Sequence, residues 1–256
     1  MAIFQRELMY FPWNSGRTPA DMGLDNTEIL TLTASDHIQL TAWHRPPASG
    51  YPLIIYFHGN GGDISFRGPK LTAFAESGFG FLILSYRGFG SSEGTPTEQG
   101  LYLDAQAAIT YATQTLGYQP SQLMLYGESL GTGIAVEMAT HHPVGAVILE
   151  APYTSVTNRA AEIYYWAPVR WLIRDHYDSL SKITRINAPL LLFHGENDAL
   201  IPIQHGKTLF EAAHQPKQAH FIPNTGHDDF DAALLVQHLQ DFARNHQLIK
   251  SPTGGS

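Results

Sequence analysis

Apolar positions along the chain follow two patterns that alternate with each other. The first is a short continuous apolar run, rich in β-branched and aromatic residues, which is typical of a strand buried on both faces of a sheet. Such runs occur at Leu53–Phe57, Phe81–Ser85, Leu123–Tyr126, Ala146–Leu149, Leu190–Phe193 and Ala219–Ile222. The second is a helix-length stretch with apolar residues on one face, as in Thr97–Thr115 and Asp229–Asn245. The alternation predicts an α/β protein built around a mostly parallel sheet, with helices on both faces.

The start of the chain has a different pattern. Ile29–Thr33 and Ile38–His44 alternate apolar and polar residues and are joined through Ser35 and Asp36. Alternation is typical of strands with one solvated face, so these two segments predict an antiparallel hairpin at an edge of the sheet. Together with the buried runs, they bring the predicted sheet to about eight strands.

One connection is too long for a simple crossover: it joins the strand that ends near Leu149 to the strand that begins at Leu190. Pro168 interrupts any long helix there, so residues 153–187 are expected to form a cap of short helices over the sheet edge. The cap side chains that are candidates for contact with substrate are Tyr153, Trp166 and Trp171. The alternative is that the insertion only covers the core. Residues 1–256 are expected to form a single domain, with this cap as an insertion within it.

The segment Gly127–Gly131, with the sequence GESLG, follows a predicted strand and precedes a helix-like run. A GxSxG sequence in that position predicts a nucleophile elbow, a sharp turn that holds Ser129 in a strained conformation. Glycine on either side lets the helix and the neighbouring strand approach closely. A serine hydroxyl becomes a good nucleophile only when an imidazole removes its proton and a carboxylate orients that imidazole. The sequence must therefore also supply a histidine and an acid.

The chain order expected for this arrangement is serine, acid, histidine, with the histidine in the loop after the last strand. His227 meets that condition, because it lies between the last predicted strand and the final predicted helix. The other downstream histidines are predicted to lie in helices or in a strand: His205, His214, His220, His238 and His246. Asp198 is the preferred acid, because it follows the buried strand at Leu190–Phe193. Glu150, at the end of the preceding strand, is the rival candidate, and Glu196 is expected to be a loop residue.

Acyl transfer also needs two backbone N–H groups that point at the developing oxyanion. Leu130, directly after the candidate nucleophile, is expected to supply one of them. The second is expected from Asn60, in the glycine-rich loop Phe57–Gly62 that follows an earlier buried strand. The alternative is that this loop is an ordinary turn between a strand and a helix.

Composition excludes several kinds of partner and chemistry. The chain has 15 Lys and Arg against 23 Asp and Glu, a formal net charge of −8 and no basic run, so nucleic-acid binding is not expected. It has no cysteine, which excludes thiolate nucleophiles and cysteine-based metal sites, and no HExxH-like spacing, so no metal site is predicted. No apolar run approaches the ~20 residues that span a bilayer. A soluble protein in the cytoplasm is the resulting expectation.

These segments together resemble the α/β-hydrolase superfamily. The resemblance is closest to serine hydrolases that carry FHGNGG, YRGxGxSEG, GESLG and HGExD motifs, among them bacterial esterases and the eukaryotic enzymes that remove acyl chains from protein cysteines. The matching segments are Phe57–Gly62, Tyr86–Gly94, Gly127–Gly131, Glu150–Ser155, His194–Asp198 and Gly226–His227. The resemblance implies an α/β-hydrolase fold with Ser129 as nucleophile, Asp198 as acid and His227 as base. It also implies oxyanion donors at Asn60 and Leu130.

Two features of the chain bear on its relation to these proteins. Asp36-His37 stands where related sequences tend to have Asp-Gly, which touches the predicted hairpin and not the site. Relatives often carry an N-terminal membrane helix just before the segment that matches Phe4–Pro12. Membrane association is therefore expected only if a native helix precedes this chain.

The expected function is a serine carboxylic ester hydrolase that works through a Ser-His-Asp triad and an acyl-enzyme and needs no cofactor. Its partner is expected to be a small-molecule ester with an acyl chain of roughly two to eight carbons, because the cap is short. An acyl thioesterase resembling the depalmitoylases is the near alternative, and a serine peptidase is a more distant one. A non-catalytic binding protein on the same fold is the alternative from another class. The chain is expected to be a monomer or a dimer.

Overall fold

Eight strands hydrogen-bond into one sheet in the computed structural model, which describes residues 5–250. In chain order, the strands among these residues are β1 (Phe11–Pro12), β2 (Glu28–Thr33), β3 (Gln39–Arg45), β4 (Leu53–Phe57), β5 (Gly61–Gly62), β6 (Gly80–Leu84), β7 (Leu123–Glu128), β8 (Ala146–Glu150), β9 (Leu190–Gly195) and β10 (Lys217–Ile222). The large sheet has the spatial order β10-β9-β8-β7-β4-β6-β3-β2. In it β3 runs antiparallel to both neighbours, and all other pairs are parallel. The mostly parallel sheet and the hairpin at its edge are therefore confirmed.

Helices cover both faces of this sheet. Within the described residues they are α1 (Gln5–Met9), α2 (Gly68–Glu76), α3 (Glu98–Thr110), α4 (Leu130–His141), α5 (Val156–Ile163), α6 (Val169–Leu172), α7 (Ile203–Ala212) and α8 (Ala232–Asn245). Side chains of α3, α4 and α7 pack into one hydrophobic core, and those of α2 and α8 into a second core on the opposite face. In β4, Ile55 faces the first core while its neighbours Ile54 and Tyr56 face the second, and all three are fully buried. Such strands therefore appear in the sequence as continuous apolar runs.

Helix boundaries differ from the sequence-based ones where local hydrogen bonds decide. The predicted helix Asp229–Asn245 begins only at Ala232, because the Asp231 carboxylate accepts the Leu234 N–H at 2.8 Å and caps the helix. The helix α3 is followed by a π-helical turn over Tyr111–Thr115. None of the helices within residues 5–250 combines the length and the hydropathy of a membrane-spanning segment.

A two-stranded ribbon that the sequence pattern did not predict joins the N-terminal segment to the rest of the protein. β1 runs parallel to β5, with Phe11 opposite Gly61 and Pro12 opposite Gly62. Strands of two residues are too short for a periodic signal, which is why the pattern did not indicate them. The pairing brings the N-terminal segment next to the glycine-rich loop that follows β4.

The departure at Asp36-His37 lies in the turn of the edge hairpin. His37 has a φ of 69°, in the left-handed region that costs an ordinary residue about 1–2 kcal/mol and suits glycine. The Asp36 carboxylate accepts hydrogen bonds from the Arg87 guanidinium at 2.7 and 3.0 Å, and Arg87 also donates to the buried Asp104 at 2.9 Å. The carboxylate thus ties the hairpin to the loop after β6, whereas the histidine only fills a turn position.

The long connection between β8 and β9 contains α5 and α6, with Pro168 directly before α6. These are short helices, as the interrupted pattern of residues 153–187 predicts. We call residues 153–187 the cap. The strands β8 and β9 that it connects are direct neighbours in the sheet.

Most of the cap is a single excursion of the chain whose two ends are held together by a hydrogen bond. The Val156 N–H donates to the His176 carbonyl oxygen at 2.9 Å. One residue earlier, the Asp175 carboxylate forms an ion pair with Arg6 of α1 at 2.9 Å and accepts the Glu98 N–H at 3.1 Å. Residues 157–174 therefore leave and rejoin the protein at one anchored place.

Candidate active site

Ser129 lies at a sharp turn between β7, which ends at Glu128, and α4, which begins at Leu130. Its φ of 50° and ψ of −114° are a strained conformation for a residue with a side chain. The Ser129 N–H donates to the Glu150 carbonyl oxygen at 2.9 Å, which holds the turn against β8. Because β7 lies between β4 and β8, Ser129 stands at the middle of the edge where the parallel strands end.

Close backbone contacts require glycine two residues before Ser129 and two residues after it. A Cβ atom on Gly127 would lie 2.5 Å from the Gly131 carbonyl oxygen, and one on Gly131 would collide with the Phe57 carbonyl of β4. The helix α4 therefore begins directly against β7 and β4. The N–H of Leu130, its first residue, has no acceptor within the helix.

The predicted base and acid lie in a row with Ser129. His227 Nε2 is 2.9 Å from Ser129 Oγ, and His227 Nδ1 is 2.7 Å from Asp198 Oδ2. His227 is in the loop between β10 and α8, and Asp198 is in the turn after β9. The structure thus brings together the three side chains that chain order selects.

Asp198 is held in place by several donors. Its Oδ1 accepts the N–H groups of Leu200 and Ile201 at 2.9 and 2.7 Å, and its Oδ2 lies 2.7 Å from His227 Nδ1 and 3.5 Å from His194 Nε2. Burial on its own would raise the pKa of Asp198, but hydrogen bonds from His194 and His227 and from the backbone hold that pKa well below its usual value. The buried carboxylate is therefore ionised at neutral pH.

The charge on Asp198 determines the state of His227. Burial lowers the pKa of His227, but the hydrogen bond and the negative charge of Asp198 raise it by more, so the pKa lies above the ordinary value of 6.5. Because Nδ1 donates its hydrogen to the carboxylate, the neutral imidazole keeps its lone pair on Nε2. That lone pair faces the hydroxyl of Ser129, as proton abstraction requires.

Glu150, the rival acid, has other partners. Its carboxylate lies 2.7 Å from Lys70 Nζ and accepts a hydrogen bond from the Tyr126 hydroxyl. Lys70 Nζ is also 3.2 Å from Glu128, whose other oxygen is 2.7 Å from the Arg67 guanidinium. Glu150 thus balances a lysine, whereas Asp198 contacts the imidazole. We call the group of four charged side chains the ion cluster; its members are Arg67, Lys70, Glu128 and Glu150.

The ion cluster is buried beneath the turn that carries Ser129. Although burial favours a neutral carboxyl, Arg67 and Lys70 hold the pKa of Glu128 well below its usual value. The hydroxyl of Tyr56 donates to the Glu128 carboxylate as well. With two cations, two carboxylates and tyrosine donors, the buried charges have the partners that keep such a group from being strongly destabilising.

The ion cluster also holds the loop that follows β4. The Gly59 N–H donates to Glu128 Oε1 at 3.3 Å, and Arg67 Nη1 donates to the Gly61 carbonyl oxygen at 2.6 Å. A Cβ atom on Gly59 would lie 2.7 Å from the same carboxylate oxygen, so this approach needs glycine. Asn60, the predicted second oxyanion donor, lies between these two anchored residues.

Sequence reasoning missed Arg67 and Lys70, although β7 and β8 carry a signal for them. Tyr126 and Glu128 are two residues apart and so point to the same face of β7, and Glu128 pairs in register with Glu150 of β8. Adjacent carboxylates on one face of two buried strands need buried cations. The pattern alone does not show which lysine or arginine supplies them.

A cavity of about 430 Å³ opens beside Ser129. Apolar side chains of α5, α6 and the residues around them make up most of its wall, and Met9 and Phe11 of the N-terminal segment complete it. Asn60 and Leu130 line it together with Ser129. A largely apolar wall with polar groups near one hydroxyl is suited to an apolar chain attached to a polar reacting group.

Of the three cap side chains predicted to contact substrate, two line this cavity and one does not. Tyr153 lines the cavity, is buried, and donates its hydroxyl hydrogen to the Leu130 carbonyl at 3.0 Å. Trp166 lines the cavity and is 66% exposed at its mouth. Trp171 is 90% exposed and does not line the cavity, because α6 turns its other side inward. The structure therefore does not bring Trp171 to the position expected for a substrate contact.

Other histidines downstream of Ser129 have partners of their own. His205, in α7, is 2.9 Å from the Thr154 hydroxyl and 3.1 Å from the Glu162 carboxylate. The rings of His220 and His238 stack with centroids 3.7 Å apart. Among residues 5–250, no group of three or more His, Asp or Glu side chains is arranged to hold a metal ion.

Solved structures define the class of the fold. The esterase Pf2001 of Pyrococcus furiosus superimposes with a TM-score of 0.72 at 16% identity, covering 93% of this chain and 97% of that one. The α/β hydrolase GrgF of Penicillium sp. sh18 superimposes with a TM-score of 0.70 at 20% identity, covering 86% of this chain and 99% of that one. The protein has the α/β-hydrolase fold.

Sequence comparison then gives the family. Residues 51–181 match the model of the Hydrolase_4 family, described as serine aminopeptidase, S33, and the chain belongs to this family. Protein Rv2307c of Mycobacterium tuberculosis is 36% identical over 244 residues, 93% of this chain and 86% of that protein. The lysophosphatidylserine lipase ABHD12 of Danio rerio is 30% identical over 268 residues, 87% of this chain and 68% of that protein. The chain is a hydrolase of the α/β-hydrolase superfamily.

Proposed function

We propose that this hydrolase is a serine carboxylic ester hydrolase with Ser129, His227 and Asp198 as its catalytic triad. The observation that carries the proposal is the hydrogen-bonded row from Ser129 Oγ through the imidazole to the buried carboxylate, with distances of 2.9 and 2.7 Å. That row opens onto a largely apolar cavity, where the carbonyl of an acyl ester can reach the hydroxyl.

The reaction proceeds in two halves. Ser129 Oγ attacks the ester carbonyl carbon while His227 Nε2 takes its proton, and the imidazolium then protonates the leaving alkoxide as the C–O bond breaks. In the second half, His227 deprotonates a water molecule that attacks the acyl-enzyme, and the carboxylic acid leaves as Ser129 regains its proton. Asp198 stays ionised throughout, fixes the imidazole tautomer and stabilises the imidazolium.

The negative oxygen of each tetrahedral intermediate accepts hydrogen bonds from the backbone N–H groups of Leu130 and Asn60. One such donor contributes about 3–4 kcal/mol to stabilising the transition state. The anchors of Gly59 and Gly61 on the ion cluster hold the Asn60 loop before substrate arrives. Because no rearrangement is then needed during the reaction, the full hydrogen-bond energy goes to the transition state.

The same site cleaves an acyl thioester, which is the near alternative. The motifs shared with serine hydrolases that remove acyl chains from protein cysteines favour it as a second substrate class. Comparison of kcat/KM for a butyryl ester and a butyryl thioester with matched leaving groups separates the two.

A serine aminopeptidase, as the description of the family suggests, has less support in the cavity. An aminopeptidase must hold the ammonium group of its substrate, and a carboxylate is the usual partner for such a charge. Among the described residues that line the cavity, none is Asp or Glu. The apolar wall therefore favours an acyl chain over a charged peptide terminus.

A fluorophosphonate probe tests the serine mechanism directly. The probe is expected to modify Ser129, with the added mass on the peptide that contains GESLG, and to compete with nitrophenyl butyrate. The Ser121→Ala variant, which removes an exposed serine elsewhere, serves as the matched control and keeps full labelling. Folded protein that takes up no probe and hydrolyses no ester would instead be a non-catalytic binding protein on this fold.

The pH dependence follows from His227. We expect kcat/KM for a soluble ester to rise with pH through a single ionisation with a midpoint above 6.5, because only the neutral imidazole can take the proton and its pKa is raised. Initial rates with nitrophenyl acetate between about pH 5 and pH 9 measure this. A profile that is flat across that range in the folded enzyme would contradict the role of His227.

The cap, proposed as an insertion within a single hydrolase domain, sets the acyl preference. Each buried methylene contributes up to about 0.8 kcal/mol, so kcat/KM should rise several-fold per carbon until the cavity is full. Trp166→Ala enlarges the mouth of the cavity and is expected to move the optimum to longer chains, with acetate hydrolysis largely kept. Trp171→Ala, on the outer side of the cap, is the matched control and should leave the profile unchanged in a series of nitrophenyl esters. An unchanged optimum in Trp166→Ala would show that the cap only covers the core.

A further inference from the structure

Arg159 of α5 lies on the side of that helix that faces the cavity beside Ser129. The other α5 residues that line the cavity are Val156, Ala160 and Ile163, and together the four occupy positions i, i+3, i+4 and i+7 of one helix face. Arg159 is the only charged side chain among the described residues that line this cavity. A guanidinium on an otherwise apolar face needs hydrogen-bond acceptors to offset its desolvation. The acceptors that Arg159 has therefore indicate its role.

These acceptors are two successive backbone carbonyls in the turn after Asp198. Arg159 Nε donates to the Leu200 carbonyl oxygen at 2.6 Å, and Arg159 Nη2 donates to the Ala199 carbonyl oxygen at 3.4 Å. The two carbonyls belong to the same peptide groups as the N–H groups of Leu200 and Ile201, which donate to Asp198 Oδ1. Each peptide group therefore joins the guanidinium on one side to the carboxylate of the proposed acid on the other.

Hydrogen bonds in such a row strengthen each other. A cation at the carbonyl oxygen polarises the peptide group and makes its N–H a better donor, and a carboxylate at the N–H makes the carbonyl a better acceptor. Two parallel rows of this kind fix the position of Asp198 Oδ1. Because the carboxylate is planar and rigid, fixing Oδ1 also directs Oδ2 at His227 Nδ1, 2.7 Å away.

The turn is held from two directions. On its inner side, Ile201 is buried and its carbonyl oxygen accepts a hydrogen bond from His194 Nε2 of β9 at 2.8 Å. On its outer side, Leu200 is 55% exposed, so the hydrophobic core does not hold this part of the turn and Arg159 reaches it from the cap. Glu162, at the next turn of α5, accepts from Arg159 Nη1 at 3.0 Å and keeps the guanidinium in this direction.

We propose that Arg159 is a positioning residue for the catalytic acid: from the cap, its guanidinium holds the turn that orients Asp198 toward His227. The inference rests on the proposed triad, in which Asp198 is the acid. The cap then has two roles, because the helix that lines the cavity with apolar side chains also keeps the reacting groups in order. A substrate too short to fill the cavity should therefore still depend on Arg159.

Kinetics of Arg159→Met test this role, because methionine keeps an unbranched apolar side chain in the cavity wall and lacks the donors. We expect kcat to fall about 10- to 100-fold for both nitrophenyl acetate and nitrophenyl butyrate, with KM within about threefold of wild type. Arg159→Lys keeps the charge but lacks the planar fork that spans two carbonyls, so its kcat should lie between those of Arg159→Met and wild type. Arg170→Gln removes an exposed arginine from α6 and is the matched control, with unchanged kinetics.

A proton resonance separates positioning from a general loss of structure. When the imidazole of His227 is protonated, the proton between its Nδ1 and Asp198 lies in a short charge-assisted hydrogen bond and resonates far downfield. In folded Arg159→Met this resonance should move upfield, and in Arg170→Gln it should stay in place. An unchanged resonance in Arg159→Met would overturn the positioning role.

The kinetic outcomes separate this inference from the catalytic proposal. A loss in Arg159→Met that is confined to KM, or to the longer ester, would make Arg159 a part of the cavity wall only and overturn the positioning role. Wild-type kcat in folded Arg159→Met, beside the loss expected for Asp198→Asn, would overturn the positioning role alone. Wild-type kcat in Asp198→Asn would overturn the assignment of the acid itself. If circular dichroism shows that Arg159→Met does not fold, Arg159→Lys decides, and a kcat equal to that of wild type overturns the positioning role.

Discussion

Ser129→Ala is expected to lower kcat for nitrophenyl butyrate by about 10⁴- to 10⁶-fold, the largest loss for any single replacement in this chain. The methyl group of alanine cannot attack the carbonyl carbon, so no acyl-enzyme forms. The apolar cavity and the backbone N–H of Leu130 stay in place, so KM should change little. The loss is thus a loss of the chemical step alone.

Steady-state kinetics and a folding control measure this effect. Ser129 has a strained backbone with φ of 50°, which alanine also adopts at a cost, so thermal denaturation should show at most a small change in Tm. Ser121→Ala is the matched control, with full activity expected. Turnover by folded Ser129→Ala within about tenfold of wild type would end the serine mechanism.

Asp198→Asn should have the second largest effect, a loss of about 10⁴-fold in kcat. The amide of asparagine can donate to His227 Nδ1, so the neutral imidazole would carry its hydrogen on Nε2. That hydrogen would face Ser129 Oγ and block proton abstraction. The raised pKa of His227 would also fall, because the charge that raises it is removed.

Glu150→Gln is the matched comparison, since it neutralises the rival acid. Lys70 would keep Glu128 as a partner, so we expect a cost in stability of about 1–3 kcal/mol from one lost buried ion pair. Activity per folded molecule should stay within a few-fold of wild type. Denaturant unfolding and active-site titration measure the two quantities separately. If Glu150→Gln abolished turnover and Asp198→Asn did not, the assignment of the acid would be reversed.

The sheet was predictable because its strands are buried on both faces. A run such as that in β4 faces a hydrophobic core on each side, so the sequence shows it without interruption. The positions of His227 and Asp198 were predictable because the ends of parallel strands meet at one edge, and because the expected order of serine, acid and histidine along the chain removes most of the other candidates there. Chain order and loop position were therefore enough to predict that both side chains lie close to Ser129.

The ion cluster was not predictable in the same way. Its carboxylates follow from the strand register, but Arg67 and Lys70 come from a 3₁₀ turn and from the short helix α2, where no periodic pattern fixes their direction. Trp166 and Trp171 were indistinguishable for a related reason. A helix of four residues such as α6 is too short for periodicity to tell its inner from its outer side.

The closed base of the cap has a consequence for how substrate range can change over evolution. Because the Val156 N–H and the His176 carbonyl meet at 2.9 Å, the 19 residues between them (157–175) begin and end at one place, whatever their length. Doubling the length of such a loop costs only about 0.6 kcal/mol in closure entropy. A lineage can therefore exchange this stretch for one of another size or composition while β8, β9 and the reacting groups beneath them keep their positions. Insertions and deletions in this one stretch can therefore change the substrate range. Each variant along the way that retains Arg159 keeps the reacting groups in position and stays active.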